Sequence, residues 1–291
     1  MTLKEALRKI SDNGYSFAFI DEGAKREIRR KILKAVAIPG YQTPFGSREL
    51  PIARGWGTGG LQITLSIIGH CDILKVIDQG CDGSVNAVNI KKFVGRVTGV
   101  KTTTDTKEAT IIQTRHRIPE ERMTEDQILV LQVPYPEALR TVEPEETETR
   151  RMHSEADYSR MWLYLYEDIV KFGEINIGAR YPVTVNGRYI MDPSPIPRWD
   201  IPKLDMADTL YLFSAGREKR IYAVPPHTEV KPLEFEDYRF RVEDFEGARC
   251  HRCGSSDTFL DEIIDDETGR RFYQCSDTGY CDRRVKDGAG S

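Results

Sequence analysis

Four cysteines lie within the last fifth of the chain, in the spacing C-x2-C-x21-C-x5-C. Cys250 and Cys253 form a knuckle whose two thiolates can hold one metal ion. Residues 258–264 and 270–274 have the composition of two strands joined by a turn. We expect this hairpin to return Cys275 and Cys281 to the knuckle. The pattern therefore predicts a metal site.

The spacing leaves the occupant of that site open. A structural zinc ribbon would bind Zn²⁺ through all four thiolates, with Cys281 as the fourth ligand. An iron–sulfur cluster also uses cysteine thiolates. A cluster held by Cys250, Cys253 and Cys275 alone would leave Cys281 free.

Two segments have the chemistry to bind phosphate. The glycine-rich segment 55–60 offers backbone N–H groups at Gly57, Gly59 and Gly60. It lacks the Lys-Ser/Thr ending of a P-loop, and a plain turn is an equal alternative.

The second segment is Arg115-His116-Arg117, which follows a predicted strand. The two guanidinium groups can each hold a phosphate in bidentate fashion, and His116 can donate a hydrogen bond or bind a metal. The alternative is a solvated strand end.

The elements that position these residues are mixed along the chain. Apolar spacing predicts helices over 21–37 and 86–97 and from Ser154 to Phe172, and strands over 61–67, 109–113, 128–133, 210–213 and 220–224. Asn186-Gly187 predicts a hairpin over 183–191. Prolines at 193, 195 and 197 predict a stiff extended segment, and the charged residues 143–151 predict a solvated surface. Gly40, after Pro39, would cap the first helix.

These elements predict an α/β fold, a mixed sheet with flanking helices, over residues 1–245. A zinc-ribbon-like four-cysteine module over 246–285 and a flexible tail over 286–291 would follow.

Composition excludes some classes of function. The 291-residue chain has a net charge of −4, which argues against non-specific nucleic-acid binding and polybasic membrane attachment. It shows no apolar run near the ~18 residues of a membrane span and no apolar leader, so we expect a cytoplasmic protein. Disulfide frameworks are rare in that compartment. The isolated Cys71 and Cys81 are therefore expected to be buried thiols.

Five further segments accompany the cysteine pattern in a fixed order. They are AVAIPGYQTPFG (35–46), GWGTGG (55–60), QTRHRIPE (113–120), NGRYIMDPSP (186–195) and AGREKRIYAVPP (215–226). Together they resemble the PhnJ family, the catalytic subunit of bacterial carbon–phosphorus lyase. The likeness runs from about Gly14 to Cys281.

The resemblance implies a radical reaction. The family cleaves alpha-D-ribose 1-methylphosphonate 5-phosphate to ribose 1,2-cyclic phosphate 5-phosphate and methane, using S-adenosylmethionine and a [4Fe–4S] cluster. By this likeness Cys250, Cys253 and Cys275 match the cluster ligands, and the same cysteines could hold zinc in a resting form. Cys281 matches the cysteine that becomes a thiyl radical, and Gly40 matches the glycine that relays the radical. The pattern is not the C-x3-C-x2-C of most adenosylmethionine radical enzymes, so it does not indicate how that cofactor is held.

The resemblance also implies partners: the core subunits PhnG, PhnH and PhnI and an ABC-type ATPase subunit, PhnK. Residues 143–151 and the helix after Ser154 are candidate contact surfaces. The alternative function is a non-catalytic subunit with a zinc ribbon that acts as a binding scaffold.

Overall fold

The computed structural model describes residues 20–46, 50, 58–78, 81–133, 135–172, 181–194, 197–216, 219–233 and 245–288. The strands in these ranges are β1 (Thr43–Pro44), β2 (Ile73–Asp78), β3 (Lys101–Thr102), β4 (Ile111–Arg115), β5 (Ile128–Gln132), β6 (Val183–Val185), β7 (Tyr189–Met191), β8 (Leu210–Ala215), β9 (Arg220–Val224), β10 (Val230–Pro232), β11 (Leu260–Ile264) and β12 (Arg271–Cys275). The helices are α1 (Glu22–Ala37), α2 (Gly59–Ile67), α3 (Val85–Thr98), α4 (Glu146–Glu155), α5 (Ser159–Phe172), α6 (Pro197–Leu204) and α7 (Thr278–Gly288), with a 3-10 turn at Ala138–Thr141.

The predicted mixed sheet with flanking helices is confirmed. In the described part of the chain, seven strands form one sheet in the order β3-β2-β4-β5-β8-β9-β1. Strands β3, β2, β4, β5 and β8 run parallel, and β9 and β1 add an antiparallel edge. The central parallel strands are buried almost throughout, as expected where both faces of a sheet are covered.

Each face of the sheet carries its own hydrophobic core. Helices α1, α2 and α3 cover one face, where Ile28, Ile63 and Val94 are buried in one cluster. The β6–β7 hairpin and helix α6 cover the other, through Val183 and Ile201. The hairpin has the predicted turn, with positive φ at Asn186 and Gly187.

The strand predicted over 61–67 is wrong, because these residues form helix α2. The alternating apolar residues suggested one buried face, but this helix is buried on nearly every side. Its polar side chains bond within the protein: Gln62 Nε2 donates to Thr58 Oγ1 at 2.9 Å, Ser66 Oγ donates to the Gln62 carbonyl at 2.6 Å, and Thr64 Oγ1 donates to Gln113 Oε1 of β4. Because the polar side chains of α2 are bonded inside the protein, they do not form the solvent-facing stripe by which a helix is usually predicted.

The solvated segment predicted over 143–151 is largely the first part of helix α4. Its charges pair along the helix, since Glu146 meets Arg150 and Glu155 meets Arg151, each at 2.5 Å. Ser154 lies inside α4, so it does not cap the next helix. The left-handed Ala156 ends α4, and α5 begins at Ser159.

Three smaller expectations are also corrected. The proline-rich stretch is not extended throughout, because α6 begins at Pro197, where a missing N–H is tolerated. Cys71 is exposed and Cys81 is partly exposed, since both lie in turns flanking β2. Residues 286–288, expected in the tail, continue helix α7.

The C-terminal module packs on the body at the carboxyl ends of the parallel strands. Antiparallel strands β11 and β12 and helix α7 form the module. It contacts the segments that follow β2, β3 and β4, through Cys81, Thr104 and Glu120. Ligand sites of α/β proteins lie at this edge of the sheet. None of the helices in the described ranges is long and apolar enough to cross a membrane.

Candidate metal centre

The four predicted cysteines come together. Their sulfur atoms all lie within 4.8 Å of one another. Cys250 Sγ is 3.7 Å from Cys281 Sγ, and Cys253 Sγ is 3.4 Å from Cys275 Sγ. Cys250, Cys275 and Cys281 are buried, and Cys253 is partly exposed. The predicted convergence is confirmed.

The knuckle around Cys250 favours a thiolate. The backbone N–H of Cys275 donates to Cys250 Sγ at 3.3 Å. Burial raises the pKa of this thiol, but the backbone N–H groups of Cys253, Cys275 and Arg252 outweigh burial and lower the pKa to about 6. Cys250 is thus prepared to act as a ligand.

Cys281 has the opposite environment. Burial, followed by the neighbouring thiols of Cys250 and Cys253, raises its pKa to about 12. In the absence of a metal it therefore keeps its proton. Burial raises the pKa of Cys275 as well, although Thr258 Oγ1 lies 3.2 Å from its sulfur. A metal bound directly to either sulfur would deprotonate it.

Cys281 also differs from the other three in how it is held. Cys250, Cys253 and Cys275 belong to the knuckle and to strand β12, whereas Cys281 lies on helix α7. Asp277 Oδ1 accepts the backbone N–H of Tyr280 at 2.9 Å and so caps the start of α7.

The body anchors α7 through charged side chains. Arg283 Nε donates to Glu121 Oε1 at 3.1 Å, and Arg283 Nη1 donates to the Thr104 carbonyl at 2.7 Å. Asp82, in the turn after β2, lies against the first turn of α7 at Gly279. Cys281 therefore lies on a helix that the α/β body anchors, whereas the other three cysteines lie on the knuckle and on strand β12.

A buried ion pair supports this junction. Lys75 Nζ lies 3.2 Å from Asp82 Oδ2 and donates to the Thr104 carbonyl at 2.5 Å, and its side chain is 0% exposed. Such a pair persists only where further hydrogen bonds satisfy both partners. The Lys91 ammonium also donates to the main-chain carbonyl of Asp82, at 2.8 Å, and so holds the turn that carries this carboxylate.

The donor set fits the implied cofactors chemically. Four thiols suit either zinc or an iron–sulfur cluster. For zinc–sulfur bonds of about 2.3 Å, tetrahedral sulfurs stand roughly 3.8 Å apart, close to the two shorter separations here. The remaining separations are at most 4.8 Å, so the four thiolates are close enough to converge on one ion. A [4Fe–4S] cluster would be held by the thiolates of Cys250, Cys253 and Cys275. His251 is turned outward, with Nδ1 3.1 Å from the Tyr273 carbonyl.

Arg115 lies at the carboxyl edge of the sheet, and its guanidinium already has a carboxylate partner. It makes a bidentate contact with Asp78 at the end of β2, with Nε to Oδ1 at 2.6 Å and Nη2 to Oδ2 at 3.0 Å. Burial lowers its pKa to about 10, against the opposing effect of Asp78. The binding of phosphate by Arg115 stays a prediction.

His116 and Arg117 link the strand end to other elements. His116 has a left-handed backbone (φ 68°), which is uncommon for residues other than glycine, although histidine adopts it more often than most. Such backbone positions are concentrated at functional sites. Its carbonyl accepts Ser194 Oγ at 2.8 Å. The Arg117 guanidinium lies 4.1 Å from the centre of the Phe259 ring and 3.6 Å from Asp261, so it joins the body to the module.

Gly59 and Gly60 pack helix α2 onto the sheet. A β-carbon on Gly59 would overlap the Ser214 hydroxyl, and one on Gly60 would stand 3.0 Å from Gln113 Nε2. The Gly60 N–H donates to Gln132 Oε1 at 2.6 Å, so this donor is engaged within the protein. Gly57 lies outside the described residues.

Gly40 is held in a close contact with the β6–β7 hairpin. Its φ is +76°, and an added β-carbon would lie 2.8 Å from Val185 Cβ and 2.9 Å from Tyr189 Cβ. Its N–H donates to the Ala223 carbonyl at 3.0 Å. The contacts described for Gly40 and for Cys281 therefore involve different neighbours.

Sequence reasoning missed the anchoring residues Lys75, Asp82, Glu121 and Arg283. Only Lys75 carried a local signal, because it interrupts the apolar run 73–77 of a strand. A lysine at a buried position needs a partner, and this one finds Asp82.

Fold and site together define an α/β protein with a four-thiol metal module docked on the carboxyl ends of its parallel strands. A family model described as phosphonate metabolism protein PhnJ matches residues 13–287. The chain belongs to this PhnJ family.

Two curated relatives match almost the full length. An Escherichia coli (strain K12) protein named alpha-D-ribose 1-methylphosphonate 5-phosphate C-P lyase is 60% identical over 269 residues, covering 92% of this chain and 95% of its own. A Rhizobium meliloti (strain 1021) protein of the same name is 58% identical over 278 residues, covering 95% of this chain and 93% of its own. The family resemblance seen in the sequence is confirmed.

Proposed function

We propose that this chain is a carbon–phosphorus lyase that cleaves alpha-D-ribose 1-methylphosphonate 5-phosphate in phosphonate catabolism, releasing methane and ribose 1,2-cyclic phosphate 5-phosphate. The names of both relatives support this activity. The structural observation that carries the proposal is the separate mounting of Cys281. Its sulfur is part of the four-thiol group, but the helix that bears it is anchored to the body.

The cofactors proposed are a [4Fe–4S] cluster and S-adenosylmethionine. The ligands would be Cys250, Cys253 and Cys275, whose thiols converge in the module. When bound, the two groups supply one-electron chemistry that generates a carbon radical. The residues of this chain must then pass the radical to the substrate.

Homolysis suits this substrate because a P–CH₃ bond offers no stable anion as leaving group. In the proposed relay, Gly40 gives up its Cα hydrogen atom and regains one from the Cys281 thiol. The resulting thiyl sulfur adds to phosphorus, and the departing methyl radical takes the Cα hydrogen atom of Gly40 to become methane, which restores the glycyl radical. The ribose 2-hydroxyl then attacks phosphorus, which forms the cyclic phosphate and breaks the sulfur–phosphorus bond, and the released Cys281 thiolate takes up the hydroxyl proton. The protonated Cys281 thiol is the form that this relay requires.

The relay requires a rearrangement. Cys281 is 0% exposed, and Gly40 is packed against Val185 and Tyr189 of the hairpin. The sulfur must be uncovered before phosphorus can be reached. Release of α7 from Asp82 and Glu121 would uncover it.

The proposal includes assembly with other subunits, namely PhnG, PhnH, PhnI and the ATPase subunit PhnK. Helix α5 supports it, because Leu163, Tyr166 and Val170 on its outer side are 53–68% exposed. Exposed apolar rows of this kind mark contact surfaces. Co-expression followed by co-purification, with Leu163→Ser and Val170→Ser as test variants, would measure its contribution.

Anaerobic reconstitution with iron and sulfide, followed by EPR of the reduced protein, tests the chemistry. We expect a cluster signal that changes when adenosylmethionine is added. Cys281→Ala should retain the iron and lose methane release, whereas Cys250→Ala should lose both. One stoichiometric zinc under every condition, with equal loss of folding for all four cysteine variants, would contradict the proposal. The non-catalytic scaffold would then gain support, although the names of the relatives do not favour it.

A further inference from the structure

Cys253 is the exposed ligand of the four-thiol centre. It is partly exposed, whereas the other three cysteines are buried. Among the described residues, no backbone N–H donates to its sulfur, although Cys250 accepts the N–H of Cys275 at 3.3 Å. A metal ligand is normally oriented and tuned by hydrogen bonds from the residues around it. A donor to Cys253 is therefore expected from a side chain.

Arg284 lies beside this ligand. It follows Cys281 by three residues on α7, so the two side chains lie on the same side of the helix. The Arg284 guanidinium carbon is 4.0 Å from the centre of the Tyr280 ring, and its Nη2 is 3.2 Å from Asp257 Oδ1. The side chain is only 21% exposed. These two contacts hold the guanidinium group against the module.

One end of this guanidinium group lacks an acceptor. Arg284 Nη1 is buried and has no hydrogen-bond partner among the described residues. A buried charged donor without an acceptor is costly, so an acceptor is expected beside it. Burial lowers the pKa of Arg284, but Tyr280, Asp257 and the Cys253 thiol together raise it above its ordinary value. The sulfur of Cys253 is thus within reach of the guanidinium group.

The neighbouring arginines have other partners. Arg252, inside the knuckle, donates to Asp282 at 2.5 Å. Arg283, on α7, donates to Glu121 at 3.1 Å. Arg284 also has a carboxylate, but that contact uses Nη2 and leaves Nη1 for the sulfur.

We propose that Arg284 donates a hydrogen bond from Nη1 to the metal-bound thiolate of Cys253, as a positioning residue of the metal centre. A thiolate centre is net negative whether it holds zinc or a cluster, and the guanidinium group offsets part of that charge. The bond therefore stabilises the metal at its exposed ligand. In an iron–sulfur cluster it also favours the reduced state, because hydrogen bonds to sulfur raise the reduction potential. This role concerns the metal centre alone and does not depend on the proposed reaction.

Binding of Co²⁺ to the full chain tests this role, because Co²⁺ occupies tetrahedral thiolate sites and absorbs light through sulfur-to-metal charge transfer. Arg284→Met removes the donor and keeps an apolar stem against Tyr280. We expect its charge-transfer band to move to longer wavelength, since a thiolate without a hydrogen bond gives up charge more readily. Zinc affinity, measured by competition with a chromogenic chelator, should fall about 10- to 100-fold.

Arg271→Met is the matched control. Arg271 lies on β12 of the same module, is 70% exposed and pairs with Glu262 at 2.9 Å. The substitution removes the same charge from the module, and the described contacts of Arg271 include no cysteine. Both the band and the zinc affinity should therefore stay as in the wild type. The intensity of the cobalt ligand-field bands shows whether each variant keeps a tetrahedral site.

Arg284→Lys is the second variant, used if Arg284→Met fails to bind cobalt. One ammonium cannot reproduce the planar fork that reaches Asp257 and the sulfur together, so we expect a smaller shift in the same direction.

Three results would overturn the proposal. The first is equal zinc affinity in the wild type, the Arg284 variants and the control. The second is weaker affinity with an unmoved charge-transfer band in the Arg284 variants, which would give Arg284 a purely structural role. The third, after anaerobic reconstitution with iron and sulfide, is a reduction potential in those variants that is not below that of the wild type. Methane release enters none of these measurements, so failure of the proposed reaction would leave them readable.

Discussion

The carboxylate of Asp82 lies against Gly279, where an added β-carbon would stand 2.7 Å from Oδ1 and 2.8 Å from Oδ2. Asp82 follows strand β2, and Gly279 lies in the first turn of the helix that carries Cys281. A negative charge at a helix N-terminus is stabilised by the helix dipole. Contact between these two residues therefore helps to fix Cys281 relative to the body.

Gly279→Ala should loosen this junction. The new methyl group overlaps a carboxylate that Lys75 holds in place, so α7 must shift or the ion pair must break. We expect a loss of about 1–3 kcal/mol in the free energy of unfolding, measured with urea. Gly95→Ala is the control, since it lies inside helix α3 with its nearest neighbour at an ordinary 3.7 Å. Equal effects of the two substitutions would contradict the role given to Asp82.

Lys75→Met should be more damaging, because it leaves the Asp82 carboxylate buried without its ammonium partner. Breaking one side of a buried pair costs about 3–5 kcal/mol. Lys231→Met is the control, since Lys231 forms an exposed pair with Glu229, and such pairs contribute little to stability. Urea unfolding gives both values. A loss at Lys75 no larger than at Lys231 would show that the buried pair does not stabilise the junction.

The parts of the fold that the sequence predicts are those with a local signature. The β6–β7 hairpin follows from Asn186-Gly187, and helix α1 follows from apolar spacing after Asp21, which accepts the Ala24 N–H at 2.7 Å. Helix α2 was missed because it is buried on nearly all sides. Helix α4 was missed because its polar residues pair with one another and give no apolar stripe.

The same distinction applies to the site. The four cysteines were predictable because tetrahedral or cluster ligation imposes a spacing on the chain. The docking of α7 was not, because it joins residues about 200 positions apart, such as Cys81 and Thr278 with Sγ and Oγ1 at 3.1 Å. Nothing local in the sequence shows such a pair. The partnering of Arg115 with Asp78 was missed for the same reason.

Gly40→Ala should destabilise the fold for two separable reasons. Positive φ disfavours any residue with a β-carbon by about 1 kcal/mol, and overlap with Val185 and Tyr189 adds about 1–3 kcal/mol. Gly99→Ala isolates the first effect, since its φ is +75° with no atom within 4 Å of the added carbon. Urea unfolding should therefore show a larger loss at Gly40, and equal losses would argue against tight packing there. Because folding is affected, the test of the proposed radical relay at Gly40 is the EPR signal of a glycyl radical rather than lost activity in this variant.

The pH dependence of stability should carry a contribution from His116. Burial, and then the positive charge of Arg115, lower the pKa of this imidazole below its ordinary 6.5, with Arg117 adding to the effect and Asp78 opposing it. The unfolded chain therefore binds more protons in the interval just below pH 6.5. The contribution of His116 to the free energy of unfolding is therefore fully present above pH 6.5 and is lost as the pH falls below that value.

His116→Asn removes the titration and keeps a residue type that tolerates the left-handed backbone. Urea unfolding of both proteins between pH 5 and pH 8 measures the difference in stability, in which the cysteines and the other histidines cancel. We expect the wild type to lose stability relative to the variant below about pH 6.5. A difference that stays constant across this range would mean that the folded protein lets His116 take up a proton as readily as the unfolded chain does.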